Sequence, residues 1–356
     1  MAVRLLPLER LTPADVDAWR ALAPRAVEPN PFVEADFVLP AWRALQPRGV
    51  GLLVAQDEGA WQACLPVRRV PGTLGGLAGW RQPYSFLGTP LVDRADPLAA
   101  VSGLLERARR PLPGFLMLSN VGVDGPVGAA LASATDELGL SVVWERRIER
   151  PVVRRNGAAP TGRSASRLRS DMRRRRRRLE EQLETPLVVE NAGDCDGTVA
   201  EFLRLEAAGW KGSRGTAMAA NGQHAAFFET MTRAFHAQGR LRLTVLRAQE
   251  RTLAVSCDLI ADDVRFGFKT TYDETYRRSG PGTILLHETI EAFYEDDAEH
   301  EFDSCAAAGS DLLERLMPER RTIASQLIGG RTVANPFVRR ALASVDARRR
   351  RRAMAR

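Results

Sequence analysis

Lysine is almost missing from this chain: among 51 basic residues in 356, only Lys211 and Lys269 are lysine and the rest are arginine. So lopsided a choice reads either as the codon bias of a GC-rich genome or as a device, and the two lysines stand out against it. Cysteine is scarce too. Cys64, Cys195, Cys257 and Cys305 form no C-x-x-C pair and have no histidine at ligand spacing, so neither a zinc site nor a disulfide framework is indicated, and free thiols are expected. Aromatic residues make up only 6%, and no zinc-finger or RNP signature occurs, which argues against base-specific reading of nucleic acid. No apolar run approaches the roughly 18–20 residues needed to cross a bilayer, and the first residues carry no signal-peptide core, so a cytoplasmic protein is expected. With 44% hydrophobic and 27% charged residues the composition is that of a globular protein. The formal charge of +7 favours an anionic partner, whether coenzyme phosphates, nucleic acid or a membrane surface, without choosing among them.

The length predicts about two domains. The second half is the clearer. Helices are predicted over 197–208 and 222–238, the latter ending at Gly239. Strands over 241–247, 252–260 and 264–272 follow as an antiparallel meander, then a Gly/Pro loop, a helix to about 295, a strand over 301–305, a helix over 310–316 and a strand near 322–327. The first half repeats this order more weakly, at an offset of about 190 residues. The expectation is therefore two tandem units of an α/β (α+β) class, each a mixed, mostly antiparallel sheet flanked by helices: 1–155, then 167–335, joined by a turn-rich linker at 156–166 and followed by a basic tail at 336–356.

After the third strand of the meander the chain reads YRRSGPGT (276–283) and turns helical at once. Glycines there would let successive backbone N–H groups approach a pyrophosphate at the positive end of a helix, giving Arg277, Arg278, Ser279, Gly280, Gly282 and Thr283 as candidate phosphate ligands. Arg277-x-x-Gly280-x-Gly282 in a strand–loop–helix setting resembles the R/Q-x-x-G-x-G/A pattern of the GNAT superfamily. Together with FLRLEAAGWKG (202–212), Tyr272-Asp273 and Phe302-Asp303, it looks like the CelD-type acyltransferases, whose chains carry two GNAT-like units, and more distantly like the Fem-type aminoacyltransferases. That resemblance implies acyl-coenzyme A, acetyl-CoA first, as co-substrate in the second unit, no metal, and an amine acceptor that is a small molecule or a cell-envelope precursor. Aminoacyl-tRNA as donor, or a non-catalytic protein that binds nucleic acid or an anionic surface, are the other readings. The departures are AAAGSDLLERL (306–316) in place of the usual Gly-x-x-x-Tyr-Lys run, and the lack of an R-x-x-G-x-G in the first half.

Acyl transfer to an amine needs a base, a donor to polarise the carbonyl, and a proton for the departing thiolate. Glu206 falls on the apolar face of its helix, where desolvation would raise its pKa, as a base or as a paired structural carboxylate. Asp303, at a strand end, is a base, an acceptor clamp or a capping residue. Lys269 and Tyr276 are candidate donors, and Lys211 beside Trp210 a candidate substrate contact. His224 and His287 read as packing or solvated groups, and Cys305 as an inert thiol. The helix over 167–183 holds six consecutive arginines, and its stripe of Leu168, Met172, Leu179 and Leu183 is broken near 175–176, so Arg175 or Arg176 is expected to snorkel or to meet an anion. The others splay around the helix as a basic surface, or as a contact for RNA or anionic lipid.

Overall fold

The computed structural model describes residues 1–73, 75–109, 114–155, 162–295, 298–306, 309 and 311–330. In chain order the elements are β1 (Ala2–Pro7), α1 (Pro13–Leu22), α2 (Ala35–Leu45), β2 (Val50–Asp57), β3 (Ala60–Arg69), β4 (Gly75–Gly79), β5 (Leu91–Val92), α3 (Pro97–Arg109), β6 (Gly114–Gly122), α4 (Pro126–Glu137), β7 (Ser141–Arg154) and α5 (Gly162–Leu183). There follow β8 (Leu187–Asn191), α6 (Cys195–Ala208), α7 (Trp210–Ser213), α8 (Gly222–His236), β9 (Leu241–Ala248), β10 (Arg251–Ala261), β11 (Val264–Tyr272), α9 (Pro281–Glu295), β12 (Glu301–Asp303), α10 (Asp311–Leu316) and β13 (Glu319–Gly329). The architecture is mixed α/β, with mostly antiparallel sheet flanked by helices.

The chain forms two compact units, but they trade segments. The first takes 1–35, 48–148 and 322 onward, and the second takes 36–47 and 149–321. This corrects the simple division at 156–166. The last strand, expected in the second unit, lies antiparallel on β6 from Ile323–Gly122 to Gly329–Phe115. Its side chains complete cores there: Ile328 joins Leu116, Leu118 and Val121, and Leu327 joins Phe115 and Met117. Conversely, Phe37 of α2 packs edge-on against Phe227 and Phe268, at 5.4 and 6.0 Å. Residues 162–166, expected as linker, already belong to α5, whose Ala165 is buried. The expected tail at 336–356 lies outside the described residues.

In the second unit the meander is present as predicted. β9, β10 and β11 pair antiparallel in sequence, β8 joins β9, and β12 joins β11 in parallel. One helical layer packs Phe202 of α6 against Phe228 of α8 at 5.0 Å, and Phe228 stacks on Phe268 of β11. The other puts Leu179 of α5 and Ile284 and Leu285 of α9 against Leu246 and Ala254. At about 1.5–3 kcal/mol for each fully buried large apolar side chain, these layers dominate the stability of the unit. The three-residue β12 pairs with β11 only from Val264 to Phe266, so the stretch of β11 from Gly267 to Tyr272 lies beyond that pairing. Lys269 sits on that stretch.

Candidate functional site

Two side chains from adjoining helices meet a third from β11. Glu206 is on the last turn of α6, Lys211 is in the short α7 that follows, and Lys269 is on β11. Both lysines donate to one carboxylate oxygen: Lys211 Nζ to Glu206 Oε1 at 2.8 Å and Lys269 Nζ to the same atom at 3.2 Å. The other oxygen accepts the Met218 backbone N–H at 2.8 Å. Glu206 is 2% exposed. Its carboxylate can be buried because every lone-pair direction in use meets a donor, and two of the donors are charged.

The direction of its pKa shift is opposite to expectation. Burial does push the Glu206 carboxyl up, but the Lys269 charge and the hydrogen bonds from Lys211 and Met218 outweigh it and hold the group below the ordinary glutamate value. Glu206 is therefore ionised and a weak base, which suits it to orient the lysines. Burial and the Lys211 charge bring the Lys269 pKa down from its usual value, against the pull of Glu206. His224, on α8, is likewise held low by burial and by the Lys269 charge, so its imidazole is neutral at pH 7. The sequence reading gave His224 a packing or solvated role. Its coupling to Lys269 depends on how α8 lies against β11, which the helical periodicity of one segment does not report.

A cleft of about 30 Å³ opens at this cluster, lined by Leu205, Glu206, Gly209, Trp210, Lys211, Thr270, Thr271, Tyr272 and Glu274. Trp210 is 46% exposed, and Lys211 and Arg214 lie over its ring at 5.9 and 5.0 Å. Glu274 Oε1 accepts the Trp210 N–H at 3.1 Å, tying α7 to the segment after β11.

Asp303 and Tyr276 do not join this group. Asp303 is fully buried, its carboxylate held by Arg150 at 3.3 Å and Arg321 at 3.4 Å and by the Cys305 N–H at 2.8 Å, so it is an ion-paired internal group and not an open base or clamp. Tyr276 is buried with Leu179 and Leu285, its ring 4.8 Å below the Arg251 guanidinium, as a packing residue. The Cys305 thiol is buried and its pKa is pushed well up, first by that burial. It is no nucleophile.

The loop 277–283 differs most from expectation. The sequence resemblance implies an acyl-coenzyme A whose pyrophosphate would rest on free main-chain amides. Here the N–H groups of Arg277, Ser279 and Gly280 point at the carbonyls of Glu274 and Tyr276, at 3.1, 2.9 and 3.2 Å, and Thr283 N–H points at Gly280 O at 3.0 Å. A tight turn at Gly280, with φ at +68°, turns these four amides onto the loop's own carbonyls and away from the predicted cradle. What the loop does offer is charge on side chains. Arg277 and Arg278 are exposed, and Arg175 of α5 reaches across so that a Cβ added at Gly280 would stand 3.2 Å from its Nη1. Gln182 of α5 meets Ser279 Oγ at 3.4 Å. Arg176, the alternative in the broken stripe, is engaged elsewhere: it bonds Glu180 at 3.1 Å, Glu288 of α9 at 3.0 Å and the Leu187 carbonyl. The stripe is interrupted because one arginine ties α5 to α9 and β8 while its neighbour leans over the loop.

Among the described residues there is no His/Cys/Asp/Glu group able to hold a metal ion, and no helix long and apolar enough to cross a membrane. The sequence matches the family model of an acetyltransferase (GNAT) domain over residues 166–311. No curated protein matches it. In fold it is similar to the crystal structure of FemX, with 12% identity over 92% of this chain and 97% of that one and a TM-score of 0.54. It is also similar to the C-terminal domain of a putative lysylphosphatidylglycerol synthetase from Agrobacterium fabrum, with 13% identity over 94% and 95% of the two chains and a TM-score of 0.56. A conserved protein of unknown function from Bacteroides thetaiotaomicron aligns with 17% identity over 91% and 98%, at a TM-score of 0.57. Over residues 166–311, less than half of the chain, the sequence is thus similar to a GNAT acetyltransferase domain.

Proposed function

We propose that the protein is an N-acyltransferase that moves an acyl group from an activated carrier to an amine at the Glu206–Lys211–Lys269 cleft. The observation that supports this most is the convergence of the chain's two lysines on one buried carboxylate at β11, in a region similar to an acetyltransferase (GNAT) domain. An acyl-coenzyme A, acetyl-CoA first, would supply the activated thioester. Arg175, Arg277 and Arg278 are the side chains suited to its phosphates, in place of the main chain. In the cleft, Lys211 presents N–H donors toward a carbonyl oxygen that gains negative charge, and ionised Glu206, itself held by Lys269, fixes that ammonium group so that little reorganisation accompanies reaction. A neutral His224 is the group suited to take the proton of the attacking amine.

The test is a thermal-shift series with coenzyme A and acetyl-, malonyl- and longer acyl-CoA thioesters, followed by a thiol-release assay across amine acceptors. Stabilisation by at least one thioester, and thiol release that falls at least tenfold in Lys269→Met, is the expected result. No stabilisation by any thioester would remove the coenzyme reading. A second donor, an acyl group esterified to tRNA, is favoured by the closed loop and by the exposed Arg173, Arg174, Arg177 and Arg178 of α5. It predicts RNA binding that weakens steeply with salt, where a coenzyme-dependent enzyme shows none.

A further inference from the structure

A chain of hydroxyl groups leads from the cleft into the sheet. Thr270 is exposed and lines the cleft together with Lys211. In the pairing of β11 with β10 it stands opposite Ser256, while its neighbour Lys269 stands opposite Cys257. Side chains alternate along a strand, so Thr270 and Ser256 share the face of the sheet turned away from Lys269, and Asp258, two residues after Ser256, follows on that face. Thr270 Oγ1 donates to Ser256 Oγ at 3.4 Å, and Ser256 Oγ donates to Asp258 Oδ1 at 3.1 Å. Ser256 is 7% exposed and Asp258 2%, so the chain connects an open cleft to a buried carboxylate. Both bonds are longer than the roughly 2.7–2.8 Å usual between hydroxyl and oxygen. Hydrogen bonds that carry protons in reactions commonly tighten only when substrate is engaged.

The carboxylate at the end of this chain is poorly paired. The charged groups around Asp258 are Arg242, which stands opposite it on β9, Arg265 on β11, and Glu299 just ahead of β12. Arg265 Nε donates to Glu299 Oε2 at 2.5 Å and Arg242 Nε lies 3.6 Å from Glu299 Oε1, so both guanidinium groups are turned to Glu299. Among the described residues Asp258 Oδ2 is buried and has no hydrogen-bond donor. An oxygen left in that state destabilises the ionised form and makes the group a stronger base. Burial pushes the Asp258 pKa up to about 6, against the pull of Arg265 and Ser256, which leaves it largely ionised at pH 7 yet far more basic than an ordinary aspartate.

Transfer to an amine calls for such a group. The acceptor arrives as an ammonium. As the C–N bond forms and the C–S bond breaks, its nitrogen sheds two protons, the departing sulfur takes one, and one remains to be held elsewhere. His224 serves one of the two.

We infer that Thr270 and Ser256 relay the other proton from the acceptor's ammonium to Asp258. The ammonium gives a proton to Thr270 Oγ1 as Thr270 passes its own to Ser256 Oγ and Ser256 its own to Asp258 Oδ1; nitrogen keeps the electron pair with which it attacks. After product leaves, the proton returns to solvent along the same hydroxyls. Asp258 acts through them and touches no substrate. This inference rests on the acyl-transfer reading for the source of the proton.

The test follows thiol release against pH with acetyl-CoA and the amine that supports the fastest release. In the wild type kcat is expected to rise through about pH 6, where Asp258 ionises, and then to level off. Asp258→Asn, Ser256→Ala and Thr270→Val are each expected to lower that plateau about tenfold with the KM for acetyl-CoA changed less than about twofold. Thr270→Ser, which keeps the hydroxyl, is expected to retain the wild-type rate. Ser256→Ala and Thr270→Val leave the carboxylate in place, so a purely structural Asp258 would not produce their losses. Carboxyl ¹³C signals of aspartate-labelled protein give a readout independent of turnover: one signal is expected to titrate near pH 6 and to be missing in Asp258→Asn. No such signal, or a full plateau rate in Thr270→Val, refutes the relay and leaves acyl transfer standing. No thiol release by the wild type with any amine removes the acyl-transfer reading, and the relay with it.

Discussion

Glu206 shows how a single residue can be found in the sequence and still be misjudged. Helical spacing put it on the apolar face of α6, and it is there, but its pKa depends on what arrives from residues 211, 218 and 269. Glu206→Gln leaves two ammonium groups beside a neutral amide and is expected to cost about 2–4 kcal/mol in urea unfolding at pH 7. Because the folded pKa lies below the unfolded one, the contribution of Glu206 is complete above the ordinary glutamate value and disappears as the pH falls through the folded pKa. The gap between wild type and variant should accordingly shrink below about pH 4.5, and a gap unchanged down to pH 3 would contradict the pairing. Asp258 behaves in the opposite sense. It is buried on β10, and burial pushes its pKa up to about 6 although the Arg265 charge and the Ser256 hydroxyl, at 3.1 Å, pull it down. Its protonated form is favoured on folding, so that part of the stability is complete below the unfolded value near 3.8 and is lost as the pH rises through about 6. Asp258→Asn should flatten the decline between those values in a urea-midpoint profile.

At the scale of elements, α5 carries two jobs that its sequence presented as one anomaly. Six arginines broke an apolar stripe, and the break was legible, but which of Arg175 and Arg176 filled it was not, since the two are adjacent and differ only in which neighbours they face. Arg176 clamps α5 to α9 and to the Leu187 carbonyl, and Arg176→Ala is expected to lower stability by about 1–3 kcal/mol with donor affinity unchanged. Arg175 is 40% exposed and lies over the loop glycine, so Arg175→Glu should leave the urea midpoint nearly unchanged and raise the donor KM about tenfold. Interchanged outcomes in steady-state kinetics and urea unfolding would reverse the two assignments. The loop was likewise recognisable as a strand-to-helix turn with glycines, but hydrogen-bond direction was not. The same residues form an open anion cradle or a closed turn according to a few dihedral angles around Gly280, and the carbonyls of Glu274 and Tyr276 take the amides.

For the whole molecule, the exchange of segments sets what depends on what. β13 supplies side chains to the cores around β6, so a chain ended before Glu319 should lose amide hydrogen-exchange protection in Gly114–Gly122 and keep it in β9–β11. Loss in the meander instead would show that the last strand belongs energetically to the second unit. The sequence by itself determined the α/β class, the antiparallel meander, the helices around it and the GNAT resemblance of the second half, because these follow from side-chain periods of about 2 and 3.6 residues and from glycine positions, all local in the chain. It also singled out Glu206, Lys211, Lys269 and Trp210 by composition and spacing. Only the tertiary structure decided that the two lysines meet on one carboxylate oxygen, that Asp303 is enclosed by Arg150 and Arg321, that the amides of Arg277, Ser279, Gly280 and Thr283 are occupied, and that α2 and β13 change units. The loop turn is a matter of local dihedral angles around Gly280, but the Lys269–Glu206 and Arg150–Asp303 pairs and the exchanged segments join residues far apart in the chain, where electrostatic partners and strand neighbours are set by packing and leave no mark on the local pattern.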